Sequence, residues 1–140
     1  MYKFGPSSLA RRATLHPDLQ VLCDAVLKQR DCSVLCGTRP KEEQDKAFNS
    51  GASSVQWPNS KHNHTPSLAV DLAPYIPGVD TYSHDQCLHF AGFVMAIAGQ
   101  LLLDGKITHK IRWGGDWDSD HNVTDNTFND LVHFELVTVS

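Results

Sequence analysis

The segment SKHNHTPSLAVD, residues 60–71, and the segment DLVHFEL, residues 130–136, decide how this chain is organised. The first leads from two histidines into an apolar run that ends in Asp71, and the second places His133 inside an apolar run that follows Asp130. Short apolar runs of this kind predict buried strands. A carboxylate inside such a strand is costly unless it is paired or bound to a cation. Imidazole and carboxylate ligands with one open position are what a hydrolytic zinc site requires.

The residues around His133 sharpen this interpretation. Alternation from Val132 to Val137 puts His133 and Glu135 on one face of a strand. Each residue alone has an ordinary alternative, since Asp71 could face solvent on an edge strand and His133 could be a satisfied core or surface histidine. The joint pattern of a histidine-rich loop, a carboxylate in the next strand and a late histidine favours a metal site.

Two further residues complete a catalytic hypothesis. Asp130 lies shortly before His133, so it is the candidate to take a proton from a water molecule at the metal. Arg39, in the sequence GTRP at a predicted strand exit, is the candidate to stabilise an oxyanion or to hold a substrate carboxylate.

The remaining periodicity predicts a small α+β domain. Pro17 opens a helical pattern, and a second helix follows Pro40. Ser83 is the expected N-cap of the longest helix, with Gln86 at the capping-box position. The predicted helices are 19–28, 41–48 and 83–103, and the predicted strands are 32–36, 68–73, 110–113 and 132–139. Strands and helices interleaved with long loops favour one domain, residues 1–140, with a mostly antiparallel sheet flanked by helices.

Composition and charge exclude several partners. The 140 residues include 12 basic and 16 acidic side chains, for a net charge of −4, so no positive field attracts nucleic acid. No apolar run approaches the length of a membrane span, and residues 1–8 lack the layout of a signal peptide. We therefore expect no nucleic-acid partner, no membrane insertion and a location in the cytoplasm.

The four cysteines are expected to be reduced. Without a signal peptide, disulfides are disfavoured. Cys32 and Cys36 could form half of a zinc-thiolate site, but the residues between them read as a strand and Cys87 is far along the chain. Free cysteines in the core are the better interpretation for all four, including Cys23.

The motifs together resemble a known family. The chain is similar to the zinc peptidases of the D-Ala-D-Ala peptidase and hedgehog-like superfamily, and most closely to the phage L-alanyl-D-glutamate endolysins. The matching segments are KFG at 3–5, GTR at 37–39, SKH at 60–62, AVDLAPY at 69–75, RWGGDW at 112–117 and DLVHFEL at 130–136. They span nearly the whole chain in the family order, so the resemblance implies the family's α+β fold.

The resemblance also implies roles for individual residues. It makes His62, Asp71 and His133 ligands of Zn²⁺, and Asp130 the catalytic acid and base toward a zinc-activated water molecule. Arg39 corresponds to the family's arginine near the substrate.

The first ligand has two candidates. The family's usual spacing of seven positions before Asp71 selects His64, whereas the preceding Ser60-Lys61 signature selects His62. We favour His62, because the signature is harder to mimic than a loop length, and His64 then becomes a bystander or an outer partner.

The aromatic residues near the motifs are assigned mainly to packing. Gly114, Asp116 and Trp117 match a segment that lines the cleft in related endolysins, but the resemblance defines no role for them. Trp57, in the loop before the ligand motif, is the candidate for an aromatic residue at the cleft rim.

The implied function is cleavage of the peptidoglycan stem peptide between L-alanine and D-glutamate, which lyses the bacterial host. A monomer that waits in the host cytoplasm, depends on a holin for release and then acts in the periplasm and cell wall is the implied biology. One alternative is a D-Ala-D-Ala carboxypeptidase on the same scaffold. Another is a non-catalytic zinc-binding module, which would have no use for a free carboxylate at Asp130.

Overall fold

The strands lie where the apolar runs predict them, and helices and long loops connect them. The computed structural model describes residues 1–139. Its helices are α1 (Pro6–Arg12), α2 (Pro17–Gln29), α3 (Lys41–Asn49) and α4 (His84–Leu103), with a short 3-10 helix at Lys61–Asn63. Its strands are β1 (Cys32–Cys36), β2 (Ala69–Pro74), β3 (Lys110–Trp113) and β4 (His133–Val137). The predicted α+β class with an antiparallel sheet is confirmed.

The sheet brings the two ligand-bearing strands together. Its strand order is β1-β2-β4-β3, and every neighbouring pair is antiparallel. Asp71 of β2 is directly opposite His133 of β4. Directly paired residues project to the same face of a sheet, so these two side chains lie next to each other.

The pairing with the two outer strands, β1 and β3, places further polar side chains on the same face of the sheet as Asp71 and His133. Cys36 of β1 pairs with Asp71 because an irregularity after Val34 shifts the register. Glu135 pairs with Arg112 of β3. One face of the sheet therefore carries a thiol, carboxylates, an imidazole and a guanidinium.

The opposite face is apolar and packs against α2 and α4. Val34, Leu72 and Phe134 are fully buried there, together with Leu22 of α2 and Phe90 of α4. Alternation along the strands thus separates the apolar core from the polar face, as the period of two requires.

Three local features differ from the sequence-based expectations. The helix α1 was not predicted, because it is short and has no apolar period, although Pro6 occupies its first turn. The 3-10 helix at Lys61–Asn63 was also missed. Ser83 is the N-cap of α4 but its side chain makes no capping hydrogen bond, so the predicted capping box there is wrong.

The expectation that no segment approaches a membrane span needs correction. The helix α4 has 20 residues, and its most apolar segment has a mean hydropathy of 1.6. By length and composition alone, α4 could cross a membrane. A core helix of a soluble protein passes the same test. The inward face of α4 is buried against the sheet at Cys87, Phe90 and Val94.

Candidate metal centre and active-site cleft

The three side chains predicted as ligands converge on the polar face of the sheet. The His62 Nε2 atom lies 3.0 Å from Asp71 Oδ1 and 3.2 Å from His133 Nδ1. The His133 Nδ1 atom lies 3.5 Å from Asp71 Oδ1. Two ring nitrogens and one carboxylate oxygen therefore face a common point.

A local capping arrangement delivers His62 to this point. The Ser60 hydroxyl accepts a hydrogen bond from the His62 amide at 3.2 Å, and the Asn63 side chain accepts one from the Ser60 amide at 3.0 Å. These two bonds form a capping box, so Ser60 of the sequence signature stabilises the start of the 3-10 helix that carries His62. His62 is buried, whereas His64 is exposed to solvent. The structure brings His62, and not His64, to Asp71 and His133.

The outward nitrogens of the two imidazoles fix their tautomers. The His62 Nδ1 atom is 2.8 Å from the carbonyl oxygen of Gly37, which can only accept, so Nδ1 carries the hydrogen. The His133 Nε2 atom is 2.8 Å from the Glu135 carboxylate and donates in the same way. In the neutral form of each ring the inward nitrogen then carries the lone pair. Two lone pairs and a carboxylate oxygen facing one point repel one another unless a proton or a metal ion lies between them, and this donor set fits Zn²⁺.

The electrostatics of the cluster agree with a preference for positive charge. Burial disfavours the charged form of His62, but the Asp71 carboxylate outweighs this and raises the pKa of His62 to about 10. Burial likewise opposes the charged form of His133, yet hydrogen bonds to Asp71 and Glu135 raise its pKa. Burial acts to raise the pKa of Asp71, but the two histidines hold that pKa well below its usual value. The space between the three side chains stabilises positive charge.

Asp130 lies beside this cluster, as its position in the sequence predicts. A tight turn places it there, since the His133 amide donates to the Asp130 carbonyl at 3.1 Å and the Asp130 amide donates to the Gly114 carbonyl at 2.9 Å. A carboxylate oxygen of Asp130 lies within 4.8 Å of ligand atoms of both Asp71 and His133. Burial, together with the negative charge of Asp71, raises the pKa of Asp130 to about 6. A carboxylate with such a pKa can accept and return a proton near neutral pH.

Gly114 makes the close approach of Asp130 possible. A Cβ atom at this position would lie 2.2 Å from the Asp130 carbonyl oxygen. Glycine is required here because no larger side chain fits without moving the backbone that carries Asp130.

Arg39 is held at the edge of the cluster by two partners. Its guanidinium lies 3.5 Å from the Asp71 carboxylate and donates to Gln44 Oε1 at 3.0 Å. Gln44 is completely buried and also donates to Ser53 and to the Val55 carbonyl. A buried amide thus ties the orientation of Arg39 to the loop that borders the cleft.

Several residues of the site were not predicted as functional. Glu135 is buried behind His133 and accepts hydrogen bonds from Arg112 at 2.6 and 3.2 Å, with the Lys61 ammonium 3.3 Å away. Burial would raise the pKa of Glu135, but His133 and Arg112 lower it to about 2. The alternation that pairs Glu135 with His133 was the available signal for it.

Cys36 was assigned to the core with the other cysteines but is only partly buried at the site. The structure confirms four free cysteines, of which Cys23, Cys32 and Cys87 are buried. The Cys36 sulfur lies within 4.8 Å of ligand atoms of His62 and Asp71. The register shift in β1 accounts for this position, and periodicity alone could not reveal it.

An open cleft of about 500 Å³ leads to the cluster. Trp117 lines it, with its ring 5.5 Å from that of His133 and its indole nitrogen donating to the Phe128 carbonyl at 2.7 Å. Trp57, the predicted aromatic residue at the rim, is not among the residues that line this cleft. The lining residues are Arg39, Ser53, Ser54, Val55, Asn59, Ser60, Lys61, His62, Arg112, Trp117, Thr127, Phe128, Asp130, His133 and Glu135.

Comparisons with known proteins agree with this architecture. The L-alanyl-D-glutamate peptidase of Escherichia phage T5 is 28% identical to this chain over 141 residues, which cover 97% of this chain and 98% of the relative. The crystal structure of the Serratia marcescens L-Ala D-Glu endopeptidase ChiX superimposes with a TM-score of 0.71, at 24% identity, over 98% of this chain and 90% of that one. The second likeness confirms the predicted peptidase-like fold.

A family model provides the decisive match. The model described as phage L-alanyl-D-glutamate peptidase covers residues 1–137 of the 140-residue chain. The prediction of an enzyme of the hydrolase class, made from the motifs, is confirmed by this match. The chain belongs to the phage L-alanyl-D-glutamate peptidase family.

Proposed function

We propose that this protein is a zinc-dependent peptidase that cuts the stem peptide of bacterial peptidoglycan between L-alanine and D-glutamate. In this proposal His62, Asp71 and His133 bind the zinc ion. The observation that carries it is the convergence of two imidazole lone pairs and a carboxylate oxygen, 3.0 to 3.5 Å apart, beside the additional carboxylate of Asp130. When bound there, zinc would polarise the scissile carbonyl and lower the pKa of a water molecule toward about 7.

Asp130 acts as the general base and then as the general acid. Its carboxylate takes a proton from the attacking water molecule and returns it to the nitrogen of the leaving D-glutamate. The raised pKa of about 6 supports this role, because the group is ionised at neutral pH yet basic enough to hold a proton during the reaction. A purely structural metal site would gain nothing from a half-buried carboxylate that binds no metal.

Arg39 stabilises negative charge on the substrate. Its guanidinium is held by Gln44 and Asp71 and lines the cleft, so it is preorganised to donate either to the oxyanion of the scissile carbonyl or to a substrate carboxylate. Preorganisation matters because the donor then pays no reorganisation cost during the reaction.

Family membership favours an internal cut over removal of a terminal residue. The cleft that leads to the proposed ligands is about 500 Å³ in volume. Membership of the L-alanyl-D-glutamate peptidase family supports the same bond, and no described feature favours the D-Ala-D-Ala carboxypeptidase.

We further propose that the whole chain acts as one monomeric peptidase domain. It is held in the host cytoplasm before lysis and reaches the cell wall after a holin opens the membrane. Membership of a phage peptidase family supports this biology. The zinc-binding module without catalysis is the outcome to be tested against it.

A single digestion experiment tests the function. Purified protein is incubated with purified peptidoglycan, with and without a chelator, and new termini are identified by mass spectrometry. We expect new N-terminal D-glutamate, which the chelator abolishes and Asp130→Asn lowers by about 10²–10⁴-fold. Asp85→Asn is the matched control, because the Asp85 side chain is 98% exposed on α4. Released D-alanine would instead identify a carboxypeptidase, and intact peptidoglycan under every condition would refute both enzymes.

A further inference from the structure

Glu135 stands apart from the other carboxylates near the cleft because it faces His133 from the side opposite the proposed metal position. Its Oε1 atom accepts the hydrogen on His133 Nε2 at 2.8 Å, while its Oε2 atom accepts from Arg112 at 2.6 Å. The residue is only 5% exposed. A carboxylate this deeply buried persists in the charged form only when such partners surround it.

The bond to Glu135 determines which His133 nitrogen faces Asp71. A neutral imidazole carries one hydrogen, so a hydrogen held on Nε2 leaves the lone pair on Nδ1. The Nδ1 atom is the one that lies 3.5 Å from Asp71 Oδ1. A negative partner behind an imidazole also increases its basicity as a ligand.

Glu135 reaches the segment of the other histidine as well. The Lys61 ammonium lies 3.3 Å from Glu135 Oε2 and also donates to the carbonyl of Leu136. Lys61 directly precedes His62 in the short 3-10 helix. One carboxylate therefore orients His133 directly and ties the His62 segment to β4 through Lys61.

We propose that Glu135 is a positioning residue that sets the tautomer of His133 and holds both histidine-bearing segments in register for the metal. Arg112 and Lys61 keep Glu135 charged and in place. This inference rests on the proposed zinc role of the site and concerns a residue that acts through His133 and Lys61 and does not itself bind the metal.

Zinc affinity tests the inference separately from catalysis. The dissociation constant is measured by competition with a chromophoric chelator for the full chain and for Glu135→Ala, Glu135→Gln and Asp24→Asn. Asp24 is the control, because it is a paired, partly exposed carboxylate on α2 that accepts from Arg12 far from the site. Glu135→Ala is expected to weaken zinc binding by about 10–100-fold. Glu135→Gln keeps an acceptor for His133 but loses the charge, so its loss is expected to be smaller.

A merely structural role predicts a different set of results. The visible spectrum of the cobalt-substituted protein reports ligand geometry, and it should change in Glu135→Ala but not in Asp24→Asn. Urea unfolding of the metal-free variants identifies any that fail to fold. If Glu135→Ala does not fold, the zinc affinity of Glu135→Gln tests the inference instead. Wild-type zinc affinity in a folded Glu135→Ala, or in Glu135→Gln if only that variant folds, would overturn the inference. A wild-type chain that binds no zinc would instead refute the proposed function on which it rests.

Discussion

Two clusters in this protein have the same composition, two histidines and one aspartate, but differ in how their lone pairs point. One is His62, Asp71 and His133; the other, between the start of α2 and the segment before β3, is His16, Asp18 and His109, with ligand atoms within 4.8 Å of one another. In the first cluster the outward nitrogens donate to Gly37 and Glu135, so the inward nitrogens are free to bind a cation.

In the second cluster, the acceptor atoms of His16 and Asp18 already accept hydrogen bonds from the protein itself. The His16 Nδ1 atom accepts from the Asp18 amide at 3.0 Å, which places the hydrogen on the other nitrogen. The Asp18 Oδ2 atom accepts from His109 Nδ1 at 2.8 Å, from the His109 amide, and from both the amide and the hydroxyl of Thr108. This cluster ties α2 to the start of β3. We infer from the comparison that the direction of the lone pairs, and not the number of histidines and carboxylates, distinguishes the proposed metal site from a cluster that only links two segments.

Removing a proposed ligand should have the largest effect and tests whether the first cluster, unlike the second, binds zinc. His62→Ala, Asp71→Ala or His133→Ala is expected to abolish both zinc binding and peptidase activity, because zinc sites in enzymes use three protein ligands and two would remain. Bound zinc is measured by atomic spectroscopy after dialysis. His109→Ala is the control from the second cluster and should retain zinc.

The same experiment decides between the two candidate first ligands. His64 is exposed, so His64→Ala should keep both zinc and activity. Loss of zinc from His64→Ala with retention in His62→Ala would contradict the assignment.

A second difference between the clusters is the carboxylate of Asp130 beside the first one. Gly114 makes room for the backbone that carries Asp130. Gly114→Ala should lower kcat/KM by about 10²-fold, because a Cβ atom 2.2 Å from the Asp130 carbonyl oxygen must displace the general base. Zinc content should be unchanged.

Gly92→Ala is the matched glycine control. It lies on α4 with nothing within 4 Å of the added Cβ, so we expect a stabilisation of about 0.5–1 kcal/mol and unchanged activity. Equal activity of Gly114→Ala and wild type would contradict the inference that a glycine at this position is needed to place Asp130 for catalysis.

The pH dependence sharpens the role of Asp130. Burial and the charge of Asp71 raise the pKa of Asp130 to about 6, and a cation bound between the ligands would lower it again. Activity should therefore rise with pH and reach half of its maximum at or below about pH 6, because the carboxylate must lose its proton before it can accept one. Peptide cleavage is followed from pH 4 to pH 8 with zinc content measured in parallel. Activity that increases on acidification while zinc is retained would contradict this role.

The second cluster should affect stability alone. Asp18→Ala removes the acceptor of several hydrogen bonds and is expected to cost about 1–3 kcal/mol in the free energy of unfolding, measured by urea denaturation at neutral pH. Burial opposes the charged form of Asp18, but the bonds from His109 and Thr108 lower its pKa. This contribution is present above the usual carboxyl pKa of about 4 and is lost as the pH falls through the lowered value. Altered zinc content in this variant would break the comparison between the clusters.

Much of the fold was predictable from local patterns. Apolar runs and alternation located all four strands, and β1 and β3 have the predicted bounds. The helix α1 and the 3-10 helix were missed because each is short and gains its stability from neighbours: Arg11 of α1 donates to the Val34 carbonyl, and Ser60 caps the 3-10 helix. Periodicity carries no signal for such elements.

The candidate site was predictable to the level of residue types. The motifs predicted the three proposed ligands together with Asp130 and Arg39, and the structure brings these five side chains close together on the polar face of the sheet. Cys36 and Glu135 were missed as parts of the site, since the first depends on a register shift in β1 and the second on its long-range partners Arg112 and Lys61.

The sequence by itself determined which chemical groups are available and on which face of each strand they lie, because side-chain alternation is a local property of an extended chain. Only the tertiary structure decided which nitrogen of each histidine carries a lone pair toward Asp71. That choice depends on the Gly37 carbonyl, 25 residues from His62, and on the Glu135 carboxylate held by β3 and the 3-10 helix. The hydrogen of an imidazole follows its nearest acceptor, and in this protein long-range contacts place the acceptors.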